Sequence, residues 1–589
     1  MQTPLEFYQS EKQAFEKEYL SLKRKLTTLG SLRLLTFLGT AFGVYFFFNN
    51  FNIAIGIALT GIITFLYLIS KHTDLQHQRD LTQALIDINK TEIDVIKGDY
   101  LSLDDGHEFI DANHHFSYDI DLFGKGSFFQ YTNRTATKEG KKSLANIFAK
   151  NEISHIENKQ KGIKELAEMP KWRQQYSAIA RLSKVQHSAK DIAFWIQNYH
   201  SAFPRALTIL PMVFSIISVG LILMVWFEII NFQALVIWFF IGLGITGVFI
   251  KKINILYEDA GKAKDTFKQY HKLLAKIETA GFTSDILKKK QSEIQRETKK
   301  ASQIFNEFSK TLDALDQRNN ILIAIVANGF LLRDLKISKN IENWIQNYHD
   351  QVENWFEVIS FFDANNSLAN YAFNHPASVF PEIKNSEVTL DAKNLGHPLI
   401  SYKTRINNNF CIKNKEFFII TGANMAGKST FLRTVSLNIV MANIGLPVCA
   451  QNFNYSPIKV VTSMRTSDSL ANDASYFFSE LKRLKFIVDE IKNDEYFIVL
   501  DEILKGTNST DKAKGSKKFV EKLVSSGSTG IIATHDLSLC TIEKDFDQIK
   551  NYYFDAEIIN DELFFDYKLK DGICQNMNAS FLLKKMGIV

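Results

Sequence analysis

The stretch Thr421 to Thr430, TGANMAGKST, sets two glycines, a lysine and a serine at the spacing Gly422-x-x-x-x-Gly427-Lys428-Ser429. Residues of these types at that spacing can cradle phosphate. The apolar run Phe417-Phe418-Ile419-Ile420 before it suits a buried parallel strand, and Phe431-Leu432-Arg433-Thr434-Val435 after it continues with helical spacing. Strand, glycine turn and helix N-terminus aim backbone N–H groups and a helix dipole at bound phosphate. Glycine is needed because a side chain would block that approach. In this pattern Gly422, Gly427, Ser429 and Thr430 hold the nucleotide. Lys428 reaches the β- and γ-phosphates of a nucleoside triphosphate, and the Ser429 hydroxyl ligates Mg²⁺.

About seventy residues downstream, Tyr496 to Leu500 reads as a hydrophobic strand ending in Asp501 and Glu502. Asp501 is expected to hold Mg²⁺ through its water shell, and Glu502 to polarise the attacking water as general base. A strand ending in a solvated acidic turn is the bland reading of Asp-Glu alone; the glycine loop upstream argues against it. Gly530 to Thr534 is a third apolar strand, ending at His535. Ala-Thr-His alone carries no meaning, but in an ATPase of this class such a histidine sits by the γ-phosphate or the attacking water. ATP and Mg²⁺ are the cofactors this set predicts.

Those three strands need an α/β domain to bring their ends together, and the 589-residue chain is long enough for several domains. With 69 basic and 64 acidic residues, it is no global polycation, so nucleic-acid binding would need a local basic face. The four cysteines, Cys411, Cys449, Cys540 and Cys574, form no CxxC pair and read as reduced thiols. Forty-eight phenylalanines against nine prolines predict a helix-rich chain with a large apolar demand.

Two regions account for that demand. Leu207 to Phe227 and Ala234 to Ile250 flank a polar break and end at Lys251-Lys252; Leu34 to Phe48 and Ile53 to Ile69 flank Asn49-Asn50 and end at Ser70-Lys71. About twenty apolar residues match a hydrocarbon core of roughly 30 Å. Basic residues sit at the outer ends (Lys23, Arg24, Lys25, Arg33, Lys71; Arg205, Lys251, Lys252) and none in the connecting loops. By the positive-inside rule the loops face outward and the nucleotide-binding part is cytoplasmic, as in a multi-pass protein of a bacterial-type inner membrane. Buried core hairpins are the alternative, with more weight for the first pair.

The expected organisation is an amphipathic helix over 1–31, a transmembrane hairpin over 32–71, and a helical region over 72–204. A second hairpin over 205–252, long charged helices over 253–375 (Ile253 to Ala280, Ser284 to Leu312) and an α/β domain over 376–589 follow. The hexapeptide at Trp195–His200 recurs at Trp344–His349, but nothing beyond it repeats.

TGANMAGKST, LDEILKGTNSTD (Leu500 to Asp511) and ATHD (Ala533 to Asp536) resemble the ATPase domain of the MutS family. DSLANDASYFFSE (Asp468 to Glu480) resembles the family segment whose serine reaches the partner's nucleotide. The resemblance therefore implies a homodimer in which Ser475 completes the opposite site. It also implies that Asn424 lies near the phosphates and that Phe410 stacks on adenine, a plain core phenylalanine being the alternative for Phe410. DGICQNMNASFLLKKMGIV resembles the family's last ATPase segment, and YTNRTATKEGKKSLANIFA, more weakly, the start of its helical core and lever. The expected fold is thus a P-loop NTPase domain of the ABC/MutS type, C-terminal to a helical core and lever region with two transmembrane hairpins. No N-terminal mismatch-reading domain and no C-terminal helix-turn-helix are expected.

Three functions follow for testing: a membrane-anchored, dimeric MutS-like ATPase with a clamp-like motion; a DNA clamp or mismatch-repair protein proper; and an ATP-driven membrane protein of ABC or remodelling type without a DNA role. Against a transporter, the stretch after the P-loop lacks an LSGGQ-like signature.

Overall fold

The computed structural model describes residues 2–182, 188–295, 299–465, 476–559 and 562–575. Thr3 opens the first helix with a reciprocal cap: its hydroxyl accepts from Glu6 N, and its own N–H donates to the Glu6 carboxylate at 2.8 Å. Pro4 fits the first helical position, and the helix then runs unbroken as Pro4–Phe46. The amphipathic 1–31 segment and the first apolar arm are therefore one rod. After a tight turn the chain returns as Phe51–Ile96, packed along it. The outer half of this hairpin is exposed, with Phe42, Phe46 and Phe51 facing outward. Its foot is buried at Tyr8, Asn89 and Glu92.

The second apolar pair is Leu210–Trp226, entered through a 3-10 turn at Arg205–Thr208, and Phe232–Glu278. Pro4–Phe46, Phe51–Ile96 and Phe232–Glu278 are long and apolar enough to cross a membrane. A further apolar helix, Ile321–Leu331, lies within the 253–375 region, where long charged helices are expected. It packs on the second hairpin where two glycines meet: a Cβ on Gly242 would lie 2.2 Å from the Gly329 carbonyl oxygen. The expected helix from Ser284 to Leu312 is instead two helices, Asp285–Ser292 and Ala301–Asp316. No glycine or proline marks that break. Tertiary bonds set it: Gln291 Nε2 donates to the Ile277 and Ala280 carbonyls, and Glu278 accepts from Ser302 N at 2.9 Å.

Helix Arg333–Asn374 runs from the second hairpin to the C-terminal domain. There a four-stranded sheet, ordered Glu382–Ile383, Asn452–Tyr455, Val388–Leu395 and Asn408–Lys413, accompanies a six-stranded one. The larger sheet runs Leu569–Asp571, Ile549–Phe554, Phe417–Gly422, Thr529–Ala533, Tyr496–Asp501, Lys459–Ser463. Its strands are parallel except Leu569–Asp571. Continuous apolar sequences such as FFII and YFIVL fit strands covered on both faces. The register pairs Ile420 and Asp501 with the same residue, Ala533, so three strands end side by side. In parallel sheets the crevice outside the carboxyl ends is where ligands bind.

Candidate functional site

The strand Phe417–Gly422 is buried along its whole length. Gly422 ends it at φ 146°, and a Cβ there would stand 2.5 Å from the Phe554 carbonyl oxygen, so no side chain fits. Gly427, at φ 100°, caps the buried helix Lys428–Asn443. The loop thus feeds into a helix N-terminus whose first N–H groups have no partner within the helix.

Lys428 is only 6 % exposed. Its Nζ donates to the Gly422 carbonyl at 2.7 Å and the Ala423 carbonyl at 2.9 Å, and lies 3.2 Å from His535 Nε2. Burial lowers its pKa, while Asp501 and Glu502 oppose that shift. The Glu502 N–H donates to the Ala533 carbonyl at 2.9 Å, and the residue takes a left-handed φ of 51°. That turn sends its carboxylate back over the sheet ends, 3.3 Å from His535 Nε2 and 4.0 Å from Lys505 Nζ. Thr534 N bonds to the Ile420 carbonyl at 3.0 Å, tying the root of His535 to the P-loop strand. One ring nitrogen therefore faces both a lysine and a glutamate. Unprotonated it accepts from Lys428; protonated it donates to Glu502. Burial first, and the Lys428 charge second, hold the His535 pKa below the ordinary histidine value.

These groups line a cavity of about 650 Å³, together with Asn424, Ser429, Thr430 and Asp501. That volume lies within the range of small-molecule and cofactor sites. Among the described residues no cluster of three or more His, Cys, Asp or Glu could hold a metal alone. The Ser429 hydroxyl and the Asp501 carboxylate are an incomplete set of hard oxygen donors. That set suits Mg²⁺, which keeps waters and takes phosphate oxygens.

Phe410 does not line the cavity. It is 3 % exposed, sits edge-on to Phe418 and Phe431 at 5.8 and 5.5 Å, and is a core residue. Strand alternation explains this: along Asn408–Lys413 every second residue turns inward, Phe410 among them. The wall facing the P-loop is built instead from His397, Arg405, Ile406 and Tyr567. Tyr567 follows the short antiparallel pair Glu557–Ile559 and Glu562–Phe564, and its ring would be 3.0 Å from a Cβ on Gly427. The motifs did not point to these four, which come from loops without a spacing rule. Lys505 was within reach of the sequence, as the cation three residues after Glu502. Ser475 lies outside the described residues, as does most of the last segment. Cys574, at that segment's start, donates its N–H to Thr421 Oγ1 at 3.2 Å.

Residues 418–584 match the family model described as MutS domain V. MutS protein homolog 4 of Homo sapiens is 30 % identical over 201 residues, 32 % of this chain and 21 % of that protein. The DNA mismatch repair protein MutS of Thermotoga maritima is 32 % identical over 239 residues, 39 % of this chain and 29 % of that protein. That of Staphylococcus aureus is 25 % identical over 265 residues, 44 % and 30 % respectively. The chain thus spans less than a third of the length of these relatives. The P-loop strand and the two strands that bring Asp501, Glu502 and His535 to it thus lie in the stretch that is similar to MutS domain V.

Proposed function

We propose that this protein binds and hydrolyses Mg·ATP in the cavity around Lys428, as a membrane-anchored dimer. The observation that carries the reading is the meeting of Lys428, Glu502 and His535 at one end of three parallel strands. Lys428 Nζ, now donating to the Gly422 and Ala423 carbonyls, would turn to the phosphates when ATP is bound. Ser429 and Asp501 hold Mg²⁺, and Asn424 and Thr430 lie along the phosphates. Glu502 takes the proton of the attacking water, with His535 beside it. Tyr567 is the aromatic ring placed to stack on the base. Ser475 of a second copy completes the site, so that nucleotide closes the dimer and hydrolysis reopens it. Such closure requires ATP to bind the closed state more tightly than the open one.

Support for the membrane reading comes from the long apolar helices, whose middles expose aromatic and aliphatic side chains, and from the basic residues at the hairpin feet. Orientation follows, with domain V on the cytoplasmic side. Relatives named as DNA mismatch repair proteins favour duplex DNA as what the helical region grips. The test is ATP turnover by the full chain in lipid vesicles, with and without duplex DNA. Lys428→Ala should lower turnover by about a hundredfold or more, the scale of losing one preorganised cation at developing charge. Undiminished turnover in that variant would remove the site assignment. Stimulation by duplex that weakens with salt supports the DNA reading; indifference to duplex removes it.

A further inference from the structure

The apolar helix Ile321–Leu331 has no role in the nucleotide site, yet it is among the most exposed apolar surfaces of the chain. Ile321 is 71 % and Leu322 78 % exposed, and Ile323, Ile325 and Val326 are also open. Its C-terminal end is fixed. Gly329 closes on Gly242, Phe330 packs on Phe239 at 5.2 Å, and Trp238 stacks on Phe214 at 4.3 Å beneath them. The contacts fall near the middle of both arms of the second hairpin, at Ser218 and Gly242.

The last carbonyls of a helix have no intrahelical partner and normally turn to water. Here the Phe330 carbonyl takes the Ser218 hydroxyl at 2.6 Å, and the Leu331 carbonyl lies 3.3 Å from the Ser215 hydroxyl. Trp238 Nε1 in turn donates to Ser218 Oγ at 2.8 Å. At the other end the Asn320 side chain accepts from Ile323 N. One N–H at the first end and two carbonyls at the last are thus held by protein, the kind of partner a helix needs where water is scarce. At 11 residues it is about 16 Å long, near half of a hydrocarbon core of roughly 30 Å. The same foot of the hairpin exposes Arg205, Lys251 and Lys336, which complement lipid phosphates.

We propose that Ile321–Leu331 is a third membrane element: it sits in the near leaflet beside the second hairpin, with its open face against lipid acyl chains. This rests on the reading of the second hairpin as a membrane span. The helix widens the anchor within one leaflet only, so the anchor displaces more lipid on the cytoplasmic side than on the far side. Helix Arg333–Asn374 begins directly after it, at Leu332 with φ 48°, so the leaflet contact and the long helix are joined by one residue.

The test labels single cysteines with an environment-sensitive NBD fluorophore in the full chain, with exposed Cys411 changed to Ser. The protein is reconstituted in vesicles of phosphatidylcholine and phosphatidylglycerol. One label sits at Leu322→Cys and a reference at Val219→Cys, which is exposed on the second hairpin. Expected for both are blue-shifted emission, loss of quenching by aqueous iodide, and quenching by nitroxide lipids. The position 322 label should respond most to a nitroxide near the headgroup, and the position 219 label to one deeper in the chain. If iodide quenches position 322 while position 219 stays shielded, the inference fails and the membrane reading stands. If iodide reaches position 219 as well, the membrane reading fails and takes the inference with it.

Discussion

His397 faces the cavity around Lys428 with its Nδ1 accepting from Leu399 N at 3.3 Å, a bond that a proton on that nitrogen would break. Burial, then the nearby Arg433 and Arg405 charges, push its pKa down to about 4, and Asp121 opposes them only in part. A free histidine titrates near 6.5, so the unfolded chain takes up this proton first. The stability that neutral His397 contributes is complete above about pH 6.5 and is lost as pH falls towards 4. A shift of that size is an upper bound of about 3 kcal/mol. Urea unfolding of domain V between pH 7 and 4.5 should therefore weaken more steeply in the wild type than in His397→Gln. Equal slopes would show that the ring is solvated. At this scale the sequence was legible where chemistry imposes a spacing. Lys428, Ser429, Asp501, Glu502 and His535 meet as the strands predict. For Phe410 the core alternative holds over the stacking role that the resemblance implies, because an aromatic on an alternating strand has access to two faces and only the sheet's packing decides between them.

The turn from Asn133 to Thr137 shows how an element can depend on a residue far along the chain. Thr137 caps helix Lys138–Ala149 by accepting from Gly140 N at 3.0 Å. The buried Asp363, on helix Arg333–Asn374, accepts from Ala136 N, from Thr137 N at 2.8 Å and from Thr137 Oγ1 at 2.7 Å. A Cβ on Gly140 would stand 2.1 Å from Asp363 Oδ2, so only glycine lets the carboxylate approach. Gly140→Ala gains about 1 kcal/mol of helix propensity. It displaces a carboxylate whose hydrogen bonds are each of about 1.5–3 kcal/mol. Loss wins, and the variant should be less stable by about 2–4 kcal/mol. A Tm equal to or above wild type would refute the contact. Sequence pattern can carry a helix and its cap, both being local, and here it marked a helical region over 72–204 without the cap. It could not give Asp363, nor the break after Ser292, because those are set by partners hundreds or tens of residues away. Ile321–Leu331 escaped for another reason: at half the length of a span, its apolar run reads as ordinary core.

Across the whole molecule, helix Arg333–Asn374 is the shared member. Near its start Glu342 accepts from Ala202 N at 2.7 Å, at the foot of the second hairpin. Near its end Asn370 and Asn374 meet the first hairpin's foot. Arg173 Nη1 donates to Asn370 Oδ1 at 2.8 Å, Tyr8 OH to Asn374 Oδ1 at 2.8 Å, and Asn374 Nδ2 to Glu92 at 2.8 Å. Glu92 is held in turn by the Arg134 guanidinium at 2.6 Å, both side chains being buried. His375, the next residue, accepts or donates to Tyr131 OH at 2.8 Å as the chain enters the C-terminal domain. Both hairpins are thus bolted to one rod, but none of the bolts at the first hairpin's foot lies in the six-stranded sheet. Glu92→Gln removes the charge that compensates Arg134, a loss of about 3–5 kcal/mol when a buried pair is broken. Because that loss falls on the foot, it should loosen the first hairpin without unfolding domain V. Hydrogen exchange in detergent should quicken over the first 26 residues and over 80–96, while the strand Phe417–Gly422 keeps its protection. Equal loss of protection in that strand would mean that the hairpin foot and domain V unfold as one unit, and that no joint exists between them.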